Sequence, residues 1–88
     1  MYFISLVKFK NKVTRESNEE NRKRLVAEEK AGIKFHGIFW TLGRYDSVGI
    51  FEAPDEKTAI RMALDRSDTM EMETLVAIPL EEARKLIP

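Results

Sequence analysis

Two apolar runs that fold back on each other at Gly43 constrain this chain more than any other feature. They stand in FHGIFWTLGRYDSVGIFEAPDE, residues 35–56. IKFHGIFWTL (33–42) and YDSVGIFE (45–52) are rich in β-branched and aromatic residues and read as neighbouring strands. Leu42-Gly43-Arg44-Tyr45 fits a two-residue type II′ loop, with glycine at its first central position. Pairing then runs inward from Leu42 with Tyr45, through Thr41 with Asp46, to Trp40 with Ser47.

The rest of the chain supplies what such a hairpin packs against. YFISLVKF (2–9) reads as a first strand. Thr14 is an N-cap for a helix running to about Lys30, with Glu16 and Glu19 near its positive end. Gly32 suits the left-handed residue that closes it. The apolar stripe of this helix is thin: Val13, Leu25, Val26, Ala27 and Ala31. After the hairpin, Pro54 stops the strand and Asp55 caps a second helix, whose residues 58–66 place Ala59, Ile60, Ala63 and Leu64 at helical spacing. MEMETLVAI (70–78) reads as a fourth strand, Pro79 breaks it, and LEEARKLI (80–87) forms a short C-terminal helix. The order β-α-β-β-α-β predicts an α+β, ferredoxin-like domain over residues 1–88. Its four-stranded antiparallel sheet carries both main helices on one face.

Alternation along the hairpin sorts its residues by face. Phe35, Gly37, Phe39, Val48 and Ile50 make an almost purely apolar set, which we expect under the helices. The expected uncovered face takes His36, Ile38, Trp40 and Leu42 from one strand and Tyr45, Ser47, Gly49 and Phe51 from the other. A sheet of this size is about 19 Å wide, and two helices about 10 Å across cover one side of it. A bare face holding Trp, Phe, Ile and Leu is seldom left to water. An 88-residue chain also has a thin stability margin, and with no cysteine it has no disulfide to draw on. Self-association through the uncovered face, as a homodimer or higher homo-oligomer, is the expected outcome, with two sheets facing each other as a dimeric α/β barrel.

Charge argues against other partners. Lys and Arg total 15, as do Asp and Glu, and the signs are interleaved in runs such as NEENRKRLVAEEK. That is a solvated helix face rather than a nucleic-acid footprint. No run approaches the ~20 apolar residues that cross a bilayer, and MYFISLVKFK has its lysines after its apolar residues, unlike a secretory leader. We expect a cytoplasmic protein that binds neither nucleic acid nor membrane. The absence of Gln and Cys, with 34% charged residues, leans toward a thermophile's usage.

Three motifs carry a resemblance: Thr41-Leu42-Gly43-Arg44-Tyr45-Asp46, Glu52-Ala53-Pro54-Asp55 and Glu73-Thr74-Leu75. In them the chain resembles the GYD-domain family. The resemblance spans essentially the whole length and is strongest in the second half. The first half departs, with KNKVTRESNEEN standing where members carry a Thr/Gly-containing segment. The resemblance implies a ferredoxin-like fold of the dimeric α/β-barrel type, and implies no activity.

Four residues are candidates for a small-molecule site. His36 is the one side chain with an ordinary pKa near neutrality, so it could serve as an acid/base group. Its plainer reading is an interface histidine. Asp46, beside Thr41 across the hairpin, could be a base or ligand anchor. Its plainer reading is a carboxylate that stabilises the turn, and the family resemblance puts it first among the four. Tyr45 and Trp40 could line or border a mostly apolar cleft. Glu71 and Glu73 share one face of the fourth strand, but no His joins them, so no metal is expected. No phosphate loop or nucleophile motif is present, and no cofactor is expected. Two functions remain open. One is small-molecule binding in the cleft, with or without cofactor-free acid/base chemistry. The other is a non-catalytic sensor or assembly module acting through its oligomer.

Overall fold

The computed structural model describes residues 1–88. In chain order the elements are β1 (Tyr2–Phe9), α1 (Arg15–Lys30), β2 (Lys34–Trp40), β3 (Ser47–Glu52), α2 (Glu56–Asp65), β4 (Met70–Ala77) and α3 (Leu80–Arg84). The sheet is antiparallel throughout, in the order β2-β3-β1-β4. This α+β arrangement is consistent with a ferredoxin-like fold.

Local chemistry accounts for the helix ends. Thr14 and Ser17 cap α1 reciprocally, each side chain accepting from the other's backbone N–H, at 3.1 and 2.8 Å. Gly32 follows the last turn at φ +101°, where a Cβ would also crowd the Pro54 ring at 3.3 Å. Asp55 caps α2 by accepting from the Thr58 N–H at 2.8 Å and the Thr58 hydroxyl at 2.7 Å.

The hairpin is wider at its tip than a two-residue loop. The last ladder bond runs from the Thr41 N–H to the Asp46 carbonyl at 2.9 Å. Residues 42–45 form the connection, and the Thr41 hydroxyl donates to the Tyr45 carbonyl at 2.7 Å. Gly43 supplies the positive φ that the turn requires, +107°. The side-chain bond from Thr41 competes with the inner ladder rung and opens the loop. The register below it is the expected one, with Trp40 opposite Ser47 and Phe39 opposite Val48.

Phe35 and His36 lie on the faces expected for them, but beyond the bulge, over Gly37–Trp40 and Ser47–Phe51, the faces are exchanged. Phe51, Ser47 and Gly49 pair with Phe3, Val7 and Ser5 of β1, and Phe3 and Phe51 pack against Ala59 and Met62 of α2. Phe51, Gly49, Ser47, Ile38 and Trp40 therefore face the helices, not the open side. A bulge between Phe35 and Gly37 sets His36 out of register, so Phe35 swings to the covered face and packs on Phe51 at 6.1 Å between ring centroids. Phe39, Val48 and Ile50 lie on the open face. Apolarity could not decide between two apolar faces. The covered side is set by β1, whose Phe3, Ser5 and Val7 are all buried.

The core fills only one end of the space between sheet and helices. Phe3, Ile33, Phe51, Ala53, Ala59 and Met62 form it, with Phe35 and Met72 packed against it. Phe51 is the largest side chain wholly removed from water, and truncating it to alanine would cost about 3–5 kcal/mol. Beyond Ser5 and Val7 toward Phe9 and Trp40, the layers part. Helix α1, which lies over that end, has no buried residue. Polar clamps hold it instead. Arg66, just after α2, grips both carboxylate oxygens of Glu28 at 2.6 and 2.7 Å and also donates to Asn21. Arg24 makes a bidentate pair with Asp68 at 2.8 and 2.9 Å.

Candidate functional site

The parted end of the two layers is a cleft. Its inner chamber, about 70 Å³, is walled by Val7, Leu25, Phe35, Ile38, Met62 and Met72, with Ser5, Ser47 and Gly49 on the sheet side. Its outer chamber, about 320 Å³, opens beneath the first half of α1. Phe9, Asn21, Trp40 and Met70 border both. Trp40 is 65% exposed and meets the Phe9 ring edge-on at 5.8 Å.

The small residues of the sheet hollow out this end. Ser5 stands opposite Gly49, and Val7 opposite Ser47. A Cβ built at Gly49 would meet nothing within 4 Å, so the floor of the chamber has room. Gly37 differs: a Cβ there would strike the Phe39 ring at 2.8 Å, so that glycine is already covered. Ser5 is 4% exposed, and its Oγ is the one buried side-chain polar atom of the chain without a hydrogen-bond partner. A hydroxyl in that state costs about 1–3 kcal/mol.

The four residues singled out from the sequence do not converge. Trp40 lines the cleft. His36 sits on the open face, where its Nε2 is 2.6 Å from Glu52 Oε2 and its ring stacks on Tyr2 at 5.3 Å. The imidazole holds the Glu52 carboxyl below its usual range. Tyr45 donates its hydroxyl to Glu73 at 2.7 Å, a bond that raises the phenol's pKa. Asp46 clamps the end of β1, with Oδ2 accepting from the Phe9 N–H and its own N–H donating to the Val7 carbonyl, each at 2.8 Å. It thereby fixes the backbone of Phe9, whose ring borders the cleft.

Sequence reasoning passed over Ser5, Asn21 and Arg66. The available signal was Ser5 itself, a lone polar residue at an inward position between Phe3 and Val7. No group of three or more His, Asp and Glu side chains is arranged to hold a metal ion, and Glu73 is engaged by Tyr45. No helix is long and apolar enough to cross a membrane. A larger groove of about 580 Å³ lies between α1 and α2. It is lined by charges of both signs, Lys57, Arg61, Asp55 and Asp65 among them, and holds no unpartnered buried polar atom.

The family model of the GYD domain matches residues 3–87. The chain belongs to the GYD-domain family. The match extends over both layers of the fold, so the cleft and the open sheet face are both parts of the GYD domain. No curated protein matches the chain.

Proposed function

We propose that this GYD domain binds a small molecule in the cleft between its sheet and its helices. The observation that carries the reading is the Ser5 hydroxyl, buried at the inner end of the cleft without a partner in the chain. Native proteins seldom leave such a group unpaired. The inner chamber of about 70 Å³ opens into an outer one of about 320 Å³, and together, with an apolar inner wall and a buried hydroxyl at its end, they have the make-up of a ligand site.

The geometry supports binding over catalysis. The one carboxylate near the inner end, Glu28, is spent on Arg66, and the His36–Glu52 pair lies on the opposite face of the sheet. Native mass spectrometry of the protein taken from cells tests the reading. Wild type is expected to retain a small-molecule mass, and Gly49→Leu, whose side chain would fill the chamber, to lose it. An empty wild type, or equal retention by both, would overturn it.

A second reading, an assembly module acting through its oligomer, is favoured by a different observation. The open face carries Ile4, Leu6, Val48, Ile50 and Leu75, with Phe39 58% exposed. The Cα envelope is only 18 Å in its thinnest dimension, room for one sheet and one helix layer. A second copy laid face to face would dry this surface, and the two readings are compatible in one homo-oligomer.

A further inference from the structure

We infer that the cleft takes a neutral, flat aromatic molecule bearing one hydrogen-bonding oxygen, with that oxygen on Ser5 Oγ and the ring between Trp40 and the methionines. This rests on the cleft being a binding site, and it names the ligand class.

Neutrality follows from the charges. Arg66 is the one cation at the inner chamber, and its guanidinium is committed to both Glu28 oxygens, to Asn21 and, at 3.7 Å, to the Met70 sulfur. With Arg66 and Glu28 side chains 5% and 12% exposed, the pair presents no net charge. An ionised ligand would give up its hydration there and gain no counter-charge. At the mouth, Arg24 is held by Asp68 and Glu20 by Lys23, and Lys12 stands exposed on the rim of the outer chamber, outside the inner one.

Flatness and aromaticity follow from the walls. Trp40 meets Phe9 at a steep angle instead of stacking on it and is largely exposed, so indole surface is left for a ligand ring. Met62, Met70 and Met72 present polarizable thioethers from the other sides. The oxygen follows from Ser5, the one fully buried hydroxyl without a partner, a donor and acceptor that suits a phenol or a ketone alike. A sugar or a peptide would bring many polar groups to an inner wall that offers only the Ser5 and Ser47 hydroxyls and the Asn21 amide.

The test is a titration of the intact protein with naphthalene, 1-naphthol and 1-naphthoate, read by calorimetry and by the backbone amide NMR shifts of Phe9 and Gly49. 1-Naphthol is expected to bind about five- to tenfold tighter than naphthalene, the worth of one buried hydrogen bond, and 1-naphthoate to bind weakest. In Ser5→Ala the advantage of naphthol over naphthalene should vanish. Equal binding of naphthol and naphthalene, tightest binding of naphthoate, or a naphthol preference that survives in Ser5→Ala would overturn the ligand class alone. Failure of all three probes to bind would also overturn it, and the cleft reading would then stand or fall by the retained-mass comparison of wild type with Gly49→Leu.

Discussion

Arg66, one residue beyond α2, donates from Nε and Nη2 to the two carboxylate oxygens of Glu28 in α1 at 2.7 and 2.6 Å. The pair is nearly dry, and it joins the two helices where apolar packing does not, since no apolar residue of α1 is fully buried. A buried ion pair is hard to break one side at a time, because the survivor is left as an unpaired charge.

Glu28→Ala is therefore expected to cost about 3–5 kcal/mol. The double variant Glu28→Leu with Arg66→Met, which removes both charges, should recover most of that loss. Urea denaturation of the two variants decides it. A double variant as unstable as the single would show that the pair contributes by its attraction and not through the penalty of an orphaned charge.

Ser5→Ala should stabilise the unliganded protein by about 1 kcal/mol, because it removes a desolvated hydroxyl that nothing in the chain satisfies. The readout is the urea midpoint at constant slope. A loss of stability instead would mean that the hydroxyl is satisfied in solution.

Asp46→Ala strips the Phe9 N–H of its acceptor. A half-buried amide left unpaired costs about 1–3 kcal/mol, and the end of β1 should fray locally. Amide hydrogen exchange at Phe9 is expected to accelerate well before that of Phe3, which sits in the filled end of the core. Equal acceleration at both would mean a global rather than a local effect.

The Asp68 carboxyl is pulled down to about 2, chiefly by the hydrogen bonds it accepts from Arg24. Its folded pKa lies below the unfolded value of about 3.9, so the linked stabilisation is complete above that value and is lost as pH falls toward about 2. The pair is exposed enough for salt to weaken it. An NMR titration should show the Asp68 value rising toward the ordinary range in Arg24→Leu. A value that does not move would remove Arg24 as the cause.

Ile50, in mid-strand on the open face, is the position at which a charge should undo self-association. Ile50→Glu is expected to sediment as a 10.2 kDa particle under conditions where wild type is larger. A monomeric wild type at micromolar concentration would end the assembly reading and leave the cleft reading untouched.

Much of the fold is legible in the sequence. Thr14, Gly32 and Asp55 stand at helix ends as capping chemistry requires, and the Trp40–Ser47 register follows from counting back from Gly43. The site was not legible in the same way. The bulge at His36 is one unpaired residue in an ordinary-looking strand, and it decides where Phe35 points. Tyr45 finds Glu73, and Arg66 finds Glu28 and Asn21, across separations of 28, 38 and 45 residues that no local pattern encodes.

By itself, the order of residues determined the elements, their caps and the existence of two apolar sheet faces, because these rest on backbone propensity, local hydrogen bonding and a period of two. Which face the helices cover was decided only in three dimensions, as was the cleft left where Ser5, Ser47 and Gly49 hollow out the sheet. Both depend on how two layers of unequal length and bulk fit together, and that fit is a property of volumes and distant partners rather than of neighbours in the chain.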